Sequence, residues 1–247
     1  MRGVITSAFV AALLVVNVRA AGAQWLDRAR ISINVGTQPS STTFTSETTS
    51  TVYAETSTIN TTYTVPSGPL FDGGMIVRLK GNFGVGFAVS SYAKSKDASV
   101  SGSIPHPFFF NTFRNISGTA GSLQRRELAA HIQAAYVISS NRFDVVLSGG
   151  PTFFDVRQDL VSSVTFTDTY PYDTATFGSA SITRATGTKV GYNVGVDVGV
   201  TLARNFGVGA LFRFSRATLT LPLEGSSSGV AVDAGGPQVG GGLRFYF

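Results

Sequence analysis

The chain contains no cysteine, so neither disulfides nor thiolates contribute to its stability or its chemistry. Charge is scarce too: Asp, Glu, Lys and Arg make up 13% of the 247 residues, about half the share of an ordinary soluble domain. Two histidines far apart in the chain, with no thiol to join them, do not make a zinc site. No glycine-rich turn opens a helix to cradle a phosphate, because no segment has helical periodicity. Beyond the N-terminal segment no run approaches about 18 consecutive apolar residues, which excludes a membrane-spanning helix. Nothing here implies a cofactor.

The residues that are present sort into a leader and one domain. Arg2 precedes an apolar run over residues 4–18, and Ala21-Gly22-Ala23 supplies the small-x-small pattern that signal peptidase reads. Residues 1–23 are therefore expected to be a secretory signal, cleaved between Ala23 and Gln24, and residues 24–247 one mature domain of 224 residues. Without Arg2 and Arg19, 17 basic residues face 14 acidic ones. A dispersed net charge of +3 argues against a nucleic-acid partner.

Period-two alternation dominates the mature domain. In residues 189–202, Val190, Tyr192, Val194, Val196, Val198, Val200 and Leu202 alternate without a break with Lys189, Gly191, Asn193, Gly195, Asp197, Gly199 and Thr201. Helical faces recur every 3.6 residues, so this is a strand, and one long enough to cross a bilayer. Seven more segments alternate in the same way, around residues 31–36, 71–80, 83–90, 127–138, 143–153, 206–215 and 238–247. Gly81-Asn82, residues 139–141 and Arg204-Asn205 read as tight turns. Residues 38–70, 94–122, 158–187 and 221–234 read as long connections. Short and long connections alternate strictly. The expectation is an all-β, eight-stranded, up-and-down antiparallel transmembrane β-barrel with short periplasmic turns and long extracellular loops.

The last six residues, Gly242 followed by Leu-Arg, Phe245, Tyr and Phe247, look like the terminal signal of outer-membrane barrels. Together with the leader and the eight segments, they make the chain resemble the small OmpA/OmpX-type outer-membrane β-barrel family. The resemblance is one of pattern, not residue identity. It implies a bacterial outer-membrane location, contact with outer-membrane lipid, and recognition of the last strand by the barrel-assembly machinery.

Eight strands enclose a lumen that side chains just fill. Parity directs Asp72, Glu127, Asp144 and Asp197 inward, with Arg30, Arg78, Lys80, Lys189, Arg213 and Arg244, and buried charges there must be paired. Asp197 and Arg213 are expected to pair across the Arg204-Asn205 hairpin, and the inward glycines (191, 195, 199, 207 and 209) to leave room for water. His131 also points inward, with Ser148 expected opposite it. Glu127, four residues away, stands about 13 Å from it along a strand, too far to orient the imidazole, so His131 reads as a satisfied lumen residue and no catalytic residue is assigned. The first and third long connections retain alternation (Tyr53, Ile59, Tyr63, Val65; Val164, Phe166, Phe177) and read as strands continuing above the bilayer. Phe108, Phe109 and Phe110 in the second read as an interfacial aromatic belt, with an adhesive patch as the alternative. The function expected is non-enzymatic: a structural or surface-interaction role, meeting a ligand or partner protein through the loops. The alternatives are a porin-like small-solute pore and, more weakly, a lipid-modifying enzyme.

Overall fold

The computed structural model describes residues 28–140, 142–223 and 229–247. The expected cleavage residues Ala21, Ala23 and Gln24, and Asn141 of the second turn, lie outside them. Among the described residues there are ten strands: β1 (Ala29–Gln38), β2 (Thr42–Val52), β3 (Glu55–Val65), β4 (Gly68–Lys80), β5 (Phe83–Pro105), β6 (Phe113–Ser139), β7 (Phe143–Thr169), β8 (Thr174–Ala203), β9 (Phe206–Leu221) and β10 (Val230–Tyr246). Eight of them close a ring, in the order β1-β4-β5-β6-β7-β8-β9-β10, and β10 pairs back to β1 from Arg30↔Tyr246 to Thr37↔Val239. The other two form a hairpin outside the ring. It is joined to the far part of β5 through Thr58↔Ser103 to Thr62↔Ser99. The ring has the eight strands that alternation predicts; the two further strands lie in the first long connection.

Alternation produces an inverted distribution of polarity. Ile33, Val35, Phe71, Met75, Phe87, Leu128, Phe153, Val194, Phe212 and Leu243 face outward and are exposed, while Arg30, Asp72, Asp144, Asp197, Arg213 and Arg244 are buried. That is the reverse of a soluble barrel, and it matches a barrel whose solvent is lipid. From Val190 to Leu202 the outward residues of β8 stay apolar. These 13 positions make about 40 Å of strand, or about 30 Å of height at the tilt such barrels adopt. Aromatic rings mark both margins of the band: Phe71, Phe153 and Tyr192 at one, Phe143 and the edge-packed pairs Phe83–Tyr136 and Phe206–Phe245 at the other.

Short turns and chain closure share the second margin. Gly81 takes a positive φ of 58° in the first turn, and Ser140 N–H donates to the Phe143 carbonyl (2.7 Å) in the next. The Phe247 N–H donates to the Ala29 carbonyl (3.0 Å), and its own carbonyl accepts from Ala29 (3.1 Å). The last residue thus fastens the final strand to the first.

At the other end the second and third long connections are not loops. β5 and β6 run 23 and 27 residues, β7 and β8 27 and 30. Only residues 106–112 and 170–173 interrupt these two hairpins. Continuation was legible in the third connection from Val164, Phe166 and Phe177. In the second it was hidden, because residues 94–103 alternate only among Ser, Lys, Ala, Asp, Val and Gly. Above the membrane band the inside turns apolar: Tyr63, Val100, Ile104, Ile116, Leu160, Val161, Leu219 and Val232 belong to one buried cluster. The interior is mainly polar within the band, apart from a small cluster of Ile76, Ala135, Val137 and Val146, and apolar above it.

Since Gln38 pairs directly with Gly68, replacing residues 39–67 by an Asn-Gly turn should leave the ring intact. Gel migration should still differ between boiled and unboiled protein. Loss of that difference would mean the β2–β3 hairpin is needed for closure.

Candidate functional site

The lumen holds one continuous polar chain. Arg30 is paired with both Asp144 and Asp197. Arg244 donates to Asp197 twice, from Nε (3.0 Å) and Nη2 (2.7 Å), and from Nη1 to Asn34 Oδ1 (2.7 Å). Asn34 Nδ2 in turn donates to Asp72 Oδ1 (2.9 Å), and Asp72 is paired with Arg213. The Tyr246 hydroxyl donates to Asp144 Oδ1 (2.7 Å), with Arg30 5.8 Å over its ring. Three guanidinium groups meet three carboxylates, drawn from β1, β4, β7, β8, β9 and β10. Arg244, 0% exposed, is the largest fully buried side chain.

Several expectations need correction. Asp197 and Arg213 do not pair. The register sets Asp197 opposite Leu211 and Gly195 opposite Arg213, so the two residues are diagonal neighbours. From that diagonal position each side chain reaches across the lumen to another strand instead. The inward glycines do not leave room for water at the network: a Cβ on Gly209 would stand 2.9 Å from Arg244 Nε, and one on Gly199 2.5 Å from Asp144 Oδ1 and 2.8 Å from the Tyr246 hydroxyl. Gly199, Gly207 and Gly209 make space for the large polar side chains, whereas Gly191 and Gly195 lie against β9 itself. Lys80 and Lys189 have inward parity but are exposed, and Arg78 is half-buried near the Gly81-Asn82 turn. Asn34 and Tyr246, which charge and alternation did not single out as site residues, complete the network; their inward parity was the available signal.

Higher in the lumen, His131 is 0% exposed. Its Nε2 lies 3.0 Å from Ser90 Oγ and its Nδ1 2.8 Å from Thr152 Oγ1. Thr152, not Ser148, stands opposite it, since Ser148 pairs with Ala135. Asn193 Nδ2 donates to Thr152 Oγ1 (2.9 Å) and Gln133 Nε2 to Asn193 Oδ1 (2.6 Å). Glu127 is engaged elsewhere, accepting from Arg125 Nε (2.7 Å) and the Gly235 amide (2.8 Å). Arg125 also donates to the Asp233 carbonyl (2.5 Å). The Ser–His–Glu set is therefore not assembled, and the ring it would need is sealed from lipid.

A second polar cluster, missed in the sequence, joins three hairpins at their far ends. Arg114 of β6 is buried and donates to Asp168 Oδ1 of β7 (2.5 Å) and to the carbonyls of Pro105 (2.8 Å), Tyr172 (3.2 Å) and Thr174 (3.5 Å). Tyr53, at the β2–β3 turn, donates its hydroxyl to Asp168 Oδ2 (2.5 Å), and Glu55 accepts from the Asn111 amide (2.8 Å). Partial burial opposes ionisation of Asp168, but hydrogen bonds from Tyr53 and Arg114 outweigh it and hold the carboxyl below its ordinary range. The same bond to Asp168, with burial, raises the Tyr53 hydroxyl. Phe108, Phe109 and Phe110 sit here too, about 50 Å of strand beyond the apolar band, so they are not an interfacial belt.

No protein-family model matches the chain, and no curated protein is similar to it in sequence. Among solved structures, the outer-membrane protease OmpT of Escherichia coli aligns over 92% of this chain and 99% of its own, at 10% identity and a TM-score of 0.48. Neisserial surface protein A aligns over 89% and 97%, at 11% identity and a TM-score of 0.40. Ail, the attachment invasion locus protein of Yersinia pestis, solved with the heparin analogue sucrose octasulfate, aligns over 88% and 99%, at 13% identity and a TM-score of 0.37. At these levels no residue role passes from those proteins to this one.

Two outcomes are expected in denaturant titrations of the folded barrel. A double-mutant cycle should find stronger coupling between Asp72 and Arg213, which pair directly, than between Asp197 and Arg213, which are linked only through Asp72, Asn34 and Arg244. Asp197→Ala, which leaves Arg244 without a carboxylate and Arg30 with Asp144 alone, should cost roughly 3–5 kcal/mol, and Gly209→Ala roughly 1–3 kcal/mol through overpacking. A third outcome concerns pH. The folded-state pKa of Asp168 is lowered, so its tie is fully present above the ordinary carboxylate range, near pH 4, and is lost as pH falls through the folded value. The protection factor of the Tyr172 amide, which donates to the Thr169 carbonyl (2.6 Å), should fall in that window. Asp168→Asn should lower it already at neutral pH.

Proposed function

We propose that the chain is an integral protein of a bacterial outer membrane that neither conducts solutes nor catalyses a reaction. Its working part is then the set of hairpins raised above the bilayer. The observation that carries this reading is the lumen: three arginines and three aspartates, all buried, neutralise one another across six strands. A path for ions would require breaking several of these pairs at once, each a charge left unpaired in a narrow interior. His131, buried between two hydroxyls, is closed to lipid substrates and argues against a lipid-modifying enzyme. In this reading the short turns face the periplasm, and residues 242–247 present Gly242, Phe245 and Phe247 to the barrel-assembly machinery. β2 stands at one end of the strand order, and such an edge can accept an extended segment of a surface ligand or partner protein.

Planar-bilayer recording tests the sealed lumen. The wild-type protein should show no sustained openings, whereas Asp197→Ala with Asp144→Ala should admit current. Steady conduction by the wild type would instead establish the porin-like alternative. For assembly, Phe247→Ser should reduce membrane yield more than Phe110→Ser; equal yields would remove the role given to the last residue.

A further inference from the structure

The far ends of the β5–β6 and β7–β8 hairpins display aromatic rings where solubility favours polar side chains. Phe108, Phe109 and Phe110 are 68%, 63% and 74% exposed, and Tyr170 is 84% exposed. They are not loosely hung. The buried His106 ring packs against Phe109 at 4.8 Å and Phe108 at 6.2 Å, and its Nδ1 accepts the Phe108 amide (3.1 Å). Phe108 meets Tyr172 edge-on at 5.2 Å, and Tyr172 meets Tyr170 at 5.9 Å. Asn111 and Tyr172 hold positive φ angles of 57° and 77°, a strain that persists only where the surroundings fix it. What fixes it is Arg114, bound to acceptors on both hairpins, with Tyr53 and Glu55 tying in the third.

We infer that this aromatic crown inserts into the interface of a second, zwitterionic phospholipid surface facing the cell. The rings project from a tip instead of lining a cleft, so they suit a fluid surface that closes around them, not a partner shaped to receive them. Phenylalanine supplies wholly apolar rings that can enter hydrocarbon, and tyrosine beside it has a ring that meets hydrocarbon and a hydroxyl that meets headgroups. Charge selects the lipid. The crown's guanidinium, Arg114, is buried and committed to four acceptors, while the Asp173 carboxylate is exposed, with the buried His106 Nε2 4.0 Å away. Such a tip is repelled by an anionic surface and tolerated by a neutral one. The inference rests on the reading of the raised hairpins as the working surface, but not on the sealed lumen.

The test uses the full chain in nanodiscs, mixed with phosphatidylcholine vesicles and floated on a density gradient, with empty nanodiscs as control. Loaded discs should float with the vesicles. The triple variant Phe108→Ser, Phe109→Ser, Phe110→Ser should bind at least about tenfold more weakly, since binding scales with the apolar area inserted. It should keep the heat-dependent gel shift of a folded barrel. In a Trp25→Phe background, Phe109→Trp should be quenched by brominated lipid placed in the vesicles alone. The inference is overturned by absence of flotation, by flotation that the triple variant retains, or by flotation only with phosphatidylserine vesicles. Aromatic-dependent pairing of loaded discs without vesicles would also overturn it, pointing to a second copy. Conduction by the barrel would defeat the sealed lumen and leave flotation unchanged, so the two readings fail separately.

Discussion

Mutual neutralisation of buried charges in an eight-stranded lumen governs the rest of the molecule. With the outer face given to hydrocarbon, alternation delivers every second residue to a cavity too narrow for bulk water. An aspartate there is tolerable only if a guanidinium reaches it. Arginine suits this role because its planar fork serves two acceptors at once: Arg30 joins Asp144 to Asp197, and Arg244 joins Asp197 to Asn34. Two glycines, one on β8 and one on β9, follow from the same demand. Gly199 and Gly209 are small because Asp144, Tyr246 and Arg244 occupy the space a side chain would take.

This constraint ends where the bilayer ends. Once the hairpins stand in water on the outside, their interior can be apolar, and it is: Ile104, Ile116, Leu160 and Val161 are packed as in a soluble core. One continuous strand such as β6 therefore has lipid on its outer side and the neutral polar groups His131 and Gln133 on its inner side over one stretch, then solvent and an apolar core over the next. Arg125 and Glu127 stand at the change of regime. Their hydrogen bonds to Gln158, to the Asp233 carbonyl and to the Gly235 amide close the top of the lumen beneath the apolar layer.

The ring was legible because its physics is local. Period two, the tight turns and the parity of Asp72, Asp144, Asp197, Arg213 and Arg244 can all be read within a dozen residues, and parity selects the lumen residues of the mid-band while failing for Lys80 and Lys189 at its margins. Partner choice is not local. Asp197 and Arg213 are neighbours on a hairpin, yet Asp197 binds arginines of β1 and β10 while Arg213 binds an aspartate of β4. Which guanidinium reaches which carboxylate depends on side-chain length across the barrel and on where glycines open space, and neither is a property of spacing. The raised hairpins were half legible for a related reason. Val164, Phe166 and Phe177 announce an apolar inner face, whereas the Ser- and Lys-rich stretch of β5 alternates polar with polar, and its pairing with β3 and β6 joins distant parts of the chain.

The tie at Arg114 shows what such long hairpins require. A two-stranded ribbon is marginal by itself in water, and each of these projects about 50 Å of strand past the band. The apolar cluster holds them face to face up to Ile104, Ile116 and Ala175, although β6 and β7 cease to pair beyond Arg125↔Gln158. A polar fastening ties the far ends across this gap as well. Arg114 supplies it from one buried position by bonding backbone carbonyls on both sides of the gap, and Asp168 extends it to Tyr53. Charge pairing thus serves two opposite ends of the molecule: in the lumen it fills space that lipid-facing alternation makes polar, and at the tip it holds exposed aromatic rings in a single arrangement.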